Sequence, residues 1–140
     1  MIRPYREGDL NFTVNSWLRS FESSNRAGKW ATKEAYRDHY QPLVVAQIAL
    51  CPPLVMVADD NPDAILGYVC GNEDRLHYLY VKQLYRYNPE APEMRVADEL
   101  MDAAKLVDQL RTTYWTPAWH EFAKRRGIGY KYDPNAMSRS

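Results

Sequence analysis

Apolar positions along this chain follow two periods, and the switches between them mark out the elements. Leu10, Val14, Trp17, Leu18 and Phe21 recur at three- and four-residue spacing, which predicts an amphipathic helix over 10–22. A short strand, Ile2 to Tyr5, precedes it, and Asp9 is placed to cap its free amides. A polar loop, Ser23 to Ala31, leads to a second N-cap at Thr32 and a helix running from Lys33 toward Tyr40. Pro42 lacks an N–H, so the pattern predicts a break there and a further short helix over Leu43 to Leu50.

The period then changes. Leu54 to Ala58 is an unbroken apolar run, the pattern of a buried strand. Asp59 to Asp63 reads as a turn, Ile65 to Cys70 as a strand, Gly71 to Asp74 as a turn, and Leu76 to Val81 as a third strand. Turns this short imply an antiparallel meander. Met94, Ala97, Leu100, Met101, Ala104, Val107 and Leu110 predict the longest helix. Thr112 to Trp115 follows as a brief strand. Thr116-Pro117 then caps a helix over Ala118 to Arg126 that stops at Gly127, and Ile128 to Tyr132 is the last strand. The order predicts one α/β (α+β) domain over 1–132, with a mainly antiparallel sheet. A short tail, 133–140, follows.

Composition narrows the function classes. With 18 basic and 18 acidic residues the formal net charge is +0, which argues against a nucleic-acid partner. No apolar run approaches the ~20 residues that span a bilayer, and Met1-Ile2-Arg3-Pro4 runs directly into polar sequence, so a cytoplasmic protein without a membrane contact is expected. Cys51 and Cys70 form no CxxC pair, and His39, His77 and His120 are scattered, so no metal site is expected. Asp59-x-Asn61-x-Asp63 begins like a calcium loop, but Ala64 and Cys70 occupy the positions that need glycine and glutamate. The 11 Tyr and 4 Trp are the one excess, and suit grooves as well as core edges.

The element order and several local motifs resemble the GNAT superfamily of acyl-CoA-dependent N-acyltransferases. Ile2-Arg3-Pro4 with Asp9-Leu10 is similar to its opening strand and helix. Ile65-Leu66-Gly67-Tyr68-Val69 resembles its third strand, and Leu79-Tyr80-Val81-Lys82 with Tyr85-Arg86 its fourth strand and phosphate loop. Lys124-Arg125-Arg126-Gly127-Ile128 resembles the end of its last helix. The finer likeness, in Ser16-Trp17-Leu18, the Tyr80-Val81-Lys82 strand end and the short tail, is to acetyltransferase-like proteins of tailed phages, which would place the chain in a host cytoplasm.

The resemblance implies a mixed, mainly antiparallel central sheet flanked by helices on both faces, and acetyl-CoA as co-substrate. Leu79, Tyr80 and Val81 would align the pantetheine arm, and Arg86, Arg95, Val96 and Ala97 would surround the diphosphate. His77 is the base candidate, and Tyr114 or His120 the acid, because Ala123 stands where the family often has tyrosine. Strand alternation puts His77, Leu79 and Val81 on one face of the fourth strand and Leu76, Tyr78 and Tyr80 on the other. Trp17, Trp30, Tyr36 and Tyr78 would frame the acceptor, a small amine or a protein amine. One departure opens an alternative. From Arg86 to Ala97 the chain has no glycine, two prolines and two glutamates, Glu90 and Glu93, where the family's loop wraps phosphate with glycine amides. The alternative is a catalytically inactive GNAT-like module that binds a host protein.

Overall fold

The computed structural model describes residues 1–24, 32–87, 89–91, 94–106 and 109–133, and of residues 21–24 the backbone alone. Strands β1 (Ile2–Pro4), β2 (Leu54–Ala58), β3 (Asn61–Asn72), β4 (Arg75–Val81), β5 (Gln109–Thr112) and β6 (Gly129–Tyr132) form one sheet in sequence order. The first three pairings are antiparallel; β4–β5 and β5–β6 are parallel. Helices α1 (Leu10–Ser24) and α2 (Lys33–Leu50) lie between β1 and β2, α3 (Val96–Ala104) between β4 and β5, and α4 (Pro117–Arg126) between β5 and β6.

Helices cover both faces, as one pair of neighbours on β3 demonstrates. Adjacent strand residues point to opposite sides. Tyr68 points toward α1, where its hydroxyl lies 2.8 Å from Ser16 Oγ and donates to the Thr13 carbonyl at 3.1 Å. Gly67 faces α3, and a Cβ there would sit 3.3 Å from Leu100 Cδ1 and 2.5 Å from the Tyr80 carbonyl. Val55, Met56 and Val57 in succession are buried because both sides of β2 are covered. Part of the tyrosine excess packs on the α1 side, where Tyr68 stacks on Tyr80 and Trp17 stacks on Tyr78 with ring centroids 5.0 Å apart.

Several boundaries differ from the sequence expectation. Asp9 does not cap α1; it closes a 3-10 turn, Glu7–Asp9, and its carboxylate accepts from the Arg6 amide behind it. Arg3 fixes it there through two 2.8 Å contacts, tying β1 to α1. Pro42 does not divide α2. Tyr36, Val44, Gln47 and Ile48 are buried on one stripe, and their packing offsets the roughly 3 kcal/mol that an interior proline costs. Thr32 caps this helix, accepting from the Ala35 amide at 3.1 Å. The turn between β2 and β3 is confined to Asp59-Asp60, with β3 beginning at Asn61.

The helix expected over 94–110 ends at Ala104, because Lys105 turns into the left-handed region at φ 54°. Leu110 belongs to β5, where Leu110 and Thr112 are buried and Gln109 and Arg111 exposed. That period-two segment continued the helical spacing by chance, so the strand began earlier than the expected Thr112 to Trp115. Thr116 caps α4 by accepting from the Trp119 amide, Pro117 takes the first helical position, and Gly127 leaves it at φ 68°. Among the described residues no helix is long and apolar enough to cross a membrane.

Candidate functional site

The sheet opens where β4 meets β5. Only Arg75 and Leu76 pair with Arg111 and Thr112, and one more bond, from the Thr113 amide to the Leu76 carbonyl, closes the contact. Beyond it the strands part around a cleft of about 570 Å³. One wall is β4 from Tyr78 to Val81 with Arg86 and Tyr87. The other is Tyr114 and the first turns of α4, including Thr116, Trp119, Glu121, Phe122 and Arg125, while Ala97 at the start of α3 lines one end.

The hydrogen-bonding phase of β4 decides what its free edge offers. The Lys82 amide donates to the Leu66 carbonyl, so alternate residues, Tyr80 and Tyr78, also face β3. Leu79 and Val81 therefore direct their amides and carbonyls to the open side. Two of these four groups are taken: the Leu79 amide donates to the Tyr114 hydroxyl at 3.3 Å, and the Val81 carbonyl accepts from Arg86 Nε at 2.8 Å. The Leu79 carbonyl and the Val81 amide have no partner among the described residues and form a two-point edge along the cleft.

Electrostatics sort the lining further. Burial holds the Tyr114 phenol well above its ordinary pKa and pushes Tyr78 up to about 12, so both stay protonated. Glu121 is the carboxylate of the lining, and Arg86 and Arg125 are its cations. Arg125 is held over the Tyr87 ring at 4.0 Å and bonds Asp98 at 3.2 Å. Asp98 is 2% exposed and also meets Arg126 at 2.8 Å and Arg95 at 3.6 Å, which locks the start of α3 to the end of α4. Trp119 contributes a buried indole Nε1 without a partner among the described residues.

The residues singled out by sequence fall in three places. Leu79, Tyr80, Val81, Arg86, Ala97, Tyr78 and Tyr114 line the cleft. His77 does not, because a register shift in the β3–β4 ladder skips it: Cys70 pairs with Tyr78 and Gly71 with Leu76. The bulge breaks the expected alternation. It puts Leu76 opposite Gly71, on the α3 side with Leu79 and Val81, and turns His77 to a smaller cleft beside Leu50 and Cys51. Burial there lowers the His77 pKa to about 4, with Arg75 adding to the effect, and its Nδ1 lies 3.2 Å from Thr113 Oγ1.

His120 also lies outside the main cleft, on an exposed face of α4, where its Nδ1 is 2.7 Å from the Tyr130 hydroxyl. Trp17 and Tyr36 are buried in the core under α1 and α2 instead of framing an acceptor. Arg95 is exposed beside Asp98, Val96 packs against the core, and Trp30 and Glu93 lie outside the described residues. Sequence reasoning missed Tyr87, Glu121 and Arg125. The i, i+4 pair of Glu121 and Arg125 on a helix capped by Thr116 was the available signal, but nothing local tells which side of that helix meets a cleft. Among the described residues no group of three or more His, Cys, Asp or Glu can hold a metal ion.

No family model matches the chain, and no curated protein matches it. Among solved structures it is similar to the apo-form of YjaB from Escherichia coli, at 21% identity and a TM-score of 0.48. That alignment covers 74% of this chain, and the chain spans 63% of YjaB. A likeness of that degree identifies no family, and the function is read from the cleft.

Proposed function

We propose that the cleft between β4 and β5 binds acetyl-CoA and that the protein is a GNAT-type N-acyltransferase acting on an amine. The observation that carries this reading is the parted sheet, which leaves the Leu79 carbonyl and Val81 amide as a free strand edge along the cleft. A pantetheine arm carries amides that pair with such an edge as a short added strand. Arg86 and Arg125 supply the positive charge for a diphosphate, in place of the glycine amides that the segment after β4 lacks.

The chemistry follows from the remaining lining. Glu121 attracts a cationic amine and takes up its proton. The neutral nitrogen attacks the thioester carbonyl, the new C–N bond forms, and the C–S bond breaks. Tyr114, kept protonated by burial, donates to the departing thiolate. The apolar walls, Phe122 and Trp119, limit competing water.

A second reading is favoured by the occupied half of the edge: with the Leu79 amide and Val81 carbonyl already bonded, and no glycine after Arg86, the chain is a module that kept the cleft and lost the chemistry. One experiment separates the two. Acetyl-CoA at ~100 times its dissociation constant adds about 2.7 kcal/mol, a rise in Tm of roughly 5–15 °C. That rise with thiol release on addition of primary amines supports the enzyme. The rise without thiol release against a broad amine panel supports the second reading, and no rise removes acyl-CoA from both.

A further inference from the structure

The chain's two cysteines meet at the mouth of the smaller cleft, on the side of the sheet away from α3. Cys51 ends α2, where its amide still donates to the Gln47 carbonyl, and its side chain is half-buried. It borders a cavity of about 220 Å³ together with the β3–β4 hairpin, residues Asn72, Glu73, Asp74 and Arg75, and with His77. Cys70 lies fully buried on β3, with its Sγ 3.1 Å from the Cys51 carbonyl. That bond makes Cys70 the immediate neighbour of Cys51, and the Gly71 amide next to it also bears on the Cys51 thiol. One sulfur thus borders the cleft, and the other stands behind it with its proton held at the backbone of the first.

From this arrangement we infer that Cys51 and Cys70 form a hydroperoxide-responsive dithiol, in which Cys51 is oxidised at the cleft and Cys70 closes the disulfide. The Cys70 thiol beside it, helped by the Gly71 amide, lowers the Cys51 thiol to about 7 against the opposing effect of burial. Cys70 is held well above an ordinary thiol, because its proton is engaged with Cys51 and because it is buried. Thiolate and thiol are therefore assigned to opposite partners, as the two steps require. In the first, the Cys51 thiolate attacks one oxygen of hydrogen peroxide, the O–O bond breaks, and Cys51 sulfenic acid and hydroxide form. In the second, the Cys70 sulfur attacks the Cys51 sulfur, the S–O bond breaks, and the Cys70 proton leaves with the hydroxyl as water. In total two thiols and one peroxide give one disulfide and two waters. The product ties the end of α2 to β3 and is independent of any chemistry in the main cleft.

The test is to treat the reduced full chain with a small excess of hydrogen peroxide and map it by non-reducing mass spectrometry. The expected product is a Cys51–Cys70 linked peptide pair, lighter by two hydrogens and restored by dithiothreitol. Cys70→Ser should stop at a Cys51 sulfenic acid that dimedone traps, and Cys51→Ser should leave Cys70 unreacted. Two readouts need no variant: the wild-type cross-link itself, and native iodoacetamide labelling, in which Cys51 should react at least ~10-fold faster than Cys70. Unlinked thiols after peroxide, Cys51 sulfinic acid without the cross-link, or equal labelling of both cysteines would overturn the inference.

Discussion

Replacing Asp98 with asparagine tests the joint that sets the end of the cleft. Asp98 is 2% exposed, and its carboxylate holds Arg126 at 2.8 Å and Arg125 at 3.2 Å, with Arg95 at 3.6 Å. Asparagine keeps the volume but removes the charge, and its amide nitrogen presents donors to guanidinium donors. Breaking a buried ion pair costs about 3–5 kcal/mol when the remaining charge is stranded. Here the Arg125 and Arg126 side chains are 29% and 28% exposed and recover part of their hydration, so about 2–3 kcal/mol is expected. At this chain length that lowers Tm by roughly 6–15 °C. Urea unfolding with an unchanged m-value is the assay.

Acid supplies a second reading of the same variant. Burial pushes the Asp98 pKa up, but hydrogen bonds from Arg126 and Arg125, with the charges of Arg125 and Arg95, more than offset it and hold the carboxyl below its ordinary range. The unfolded value is about 3.9. A depressed folded pKa gives stability that is complete above the unfolded pKa and is lost as pH falls through the folded one. The gap between wild type and Asp98→Asn should therefore be constant near neutrality and shrink below about pH 4. A loss under about 0.5 kcal/mol at neutral pH, or a gap that persists in acid, would refute the clamp.

Gly67→Ala places a Cβ 2.5 Å from the Tyr80 carbonyl, a backbone atom that moves only by shifting β4. A loss of about 2–3 kcal/mol in denaturant unfolding is expected, whereas Gly8→Ala, with nothing within 4 Å, should stay within about 1 kcal/mol. Tyr114→Phe removes the 3.3 Å partner of the Leu79 amide and should cost about 1 kcal/mol. If the phenol is the acid in acyl transfer, kcat should fall at least ~100-fold while Tm drops only a few degrees, and unchanged turnover would take Tyr114 out of the chemistry.

Much of the element order was legible because burial imposes it locally. The unbroken run Leu54 to Ala58, the caps Thr32 and Thr116, and Gly127 at a helix end each carry their reason within a few residues. The errors arose where distant contacts outweighed local preference. Pro42 stays helical because Tyr36, Val44 and Ile48 are buried together. Asp9 serves Arg3 instead of a helix end. Leu110 joins a strand because a parallel partner, Tyr130, stands beside it.

The apolar runs, the turns, and the segment without glycine after the Tyr-Val-Lys strand are written in the residues themselves. Packing in three dimensions settled that β4 and β5 pair over two residues and then part, since a splay is a relation between strands far apart in sequence. It also decided that a bulge turns His77 away from the cleft while Tyr114, Glu121 and Arg125 enter it. Side-chain direction in a strand depends on a register that one skipped residue reverses, and no local pattern records that skip.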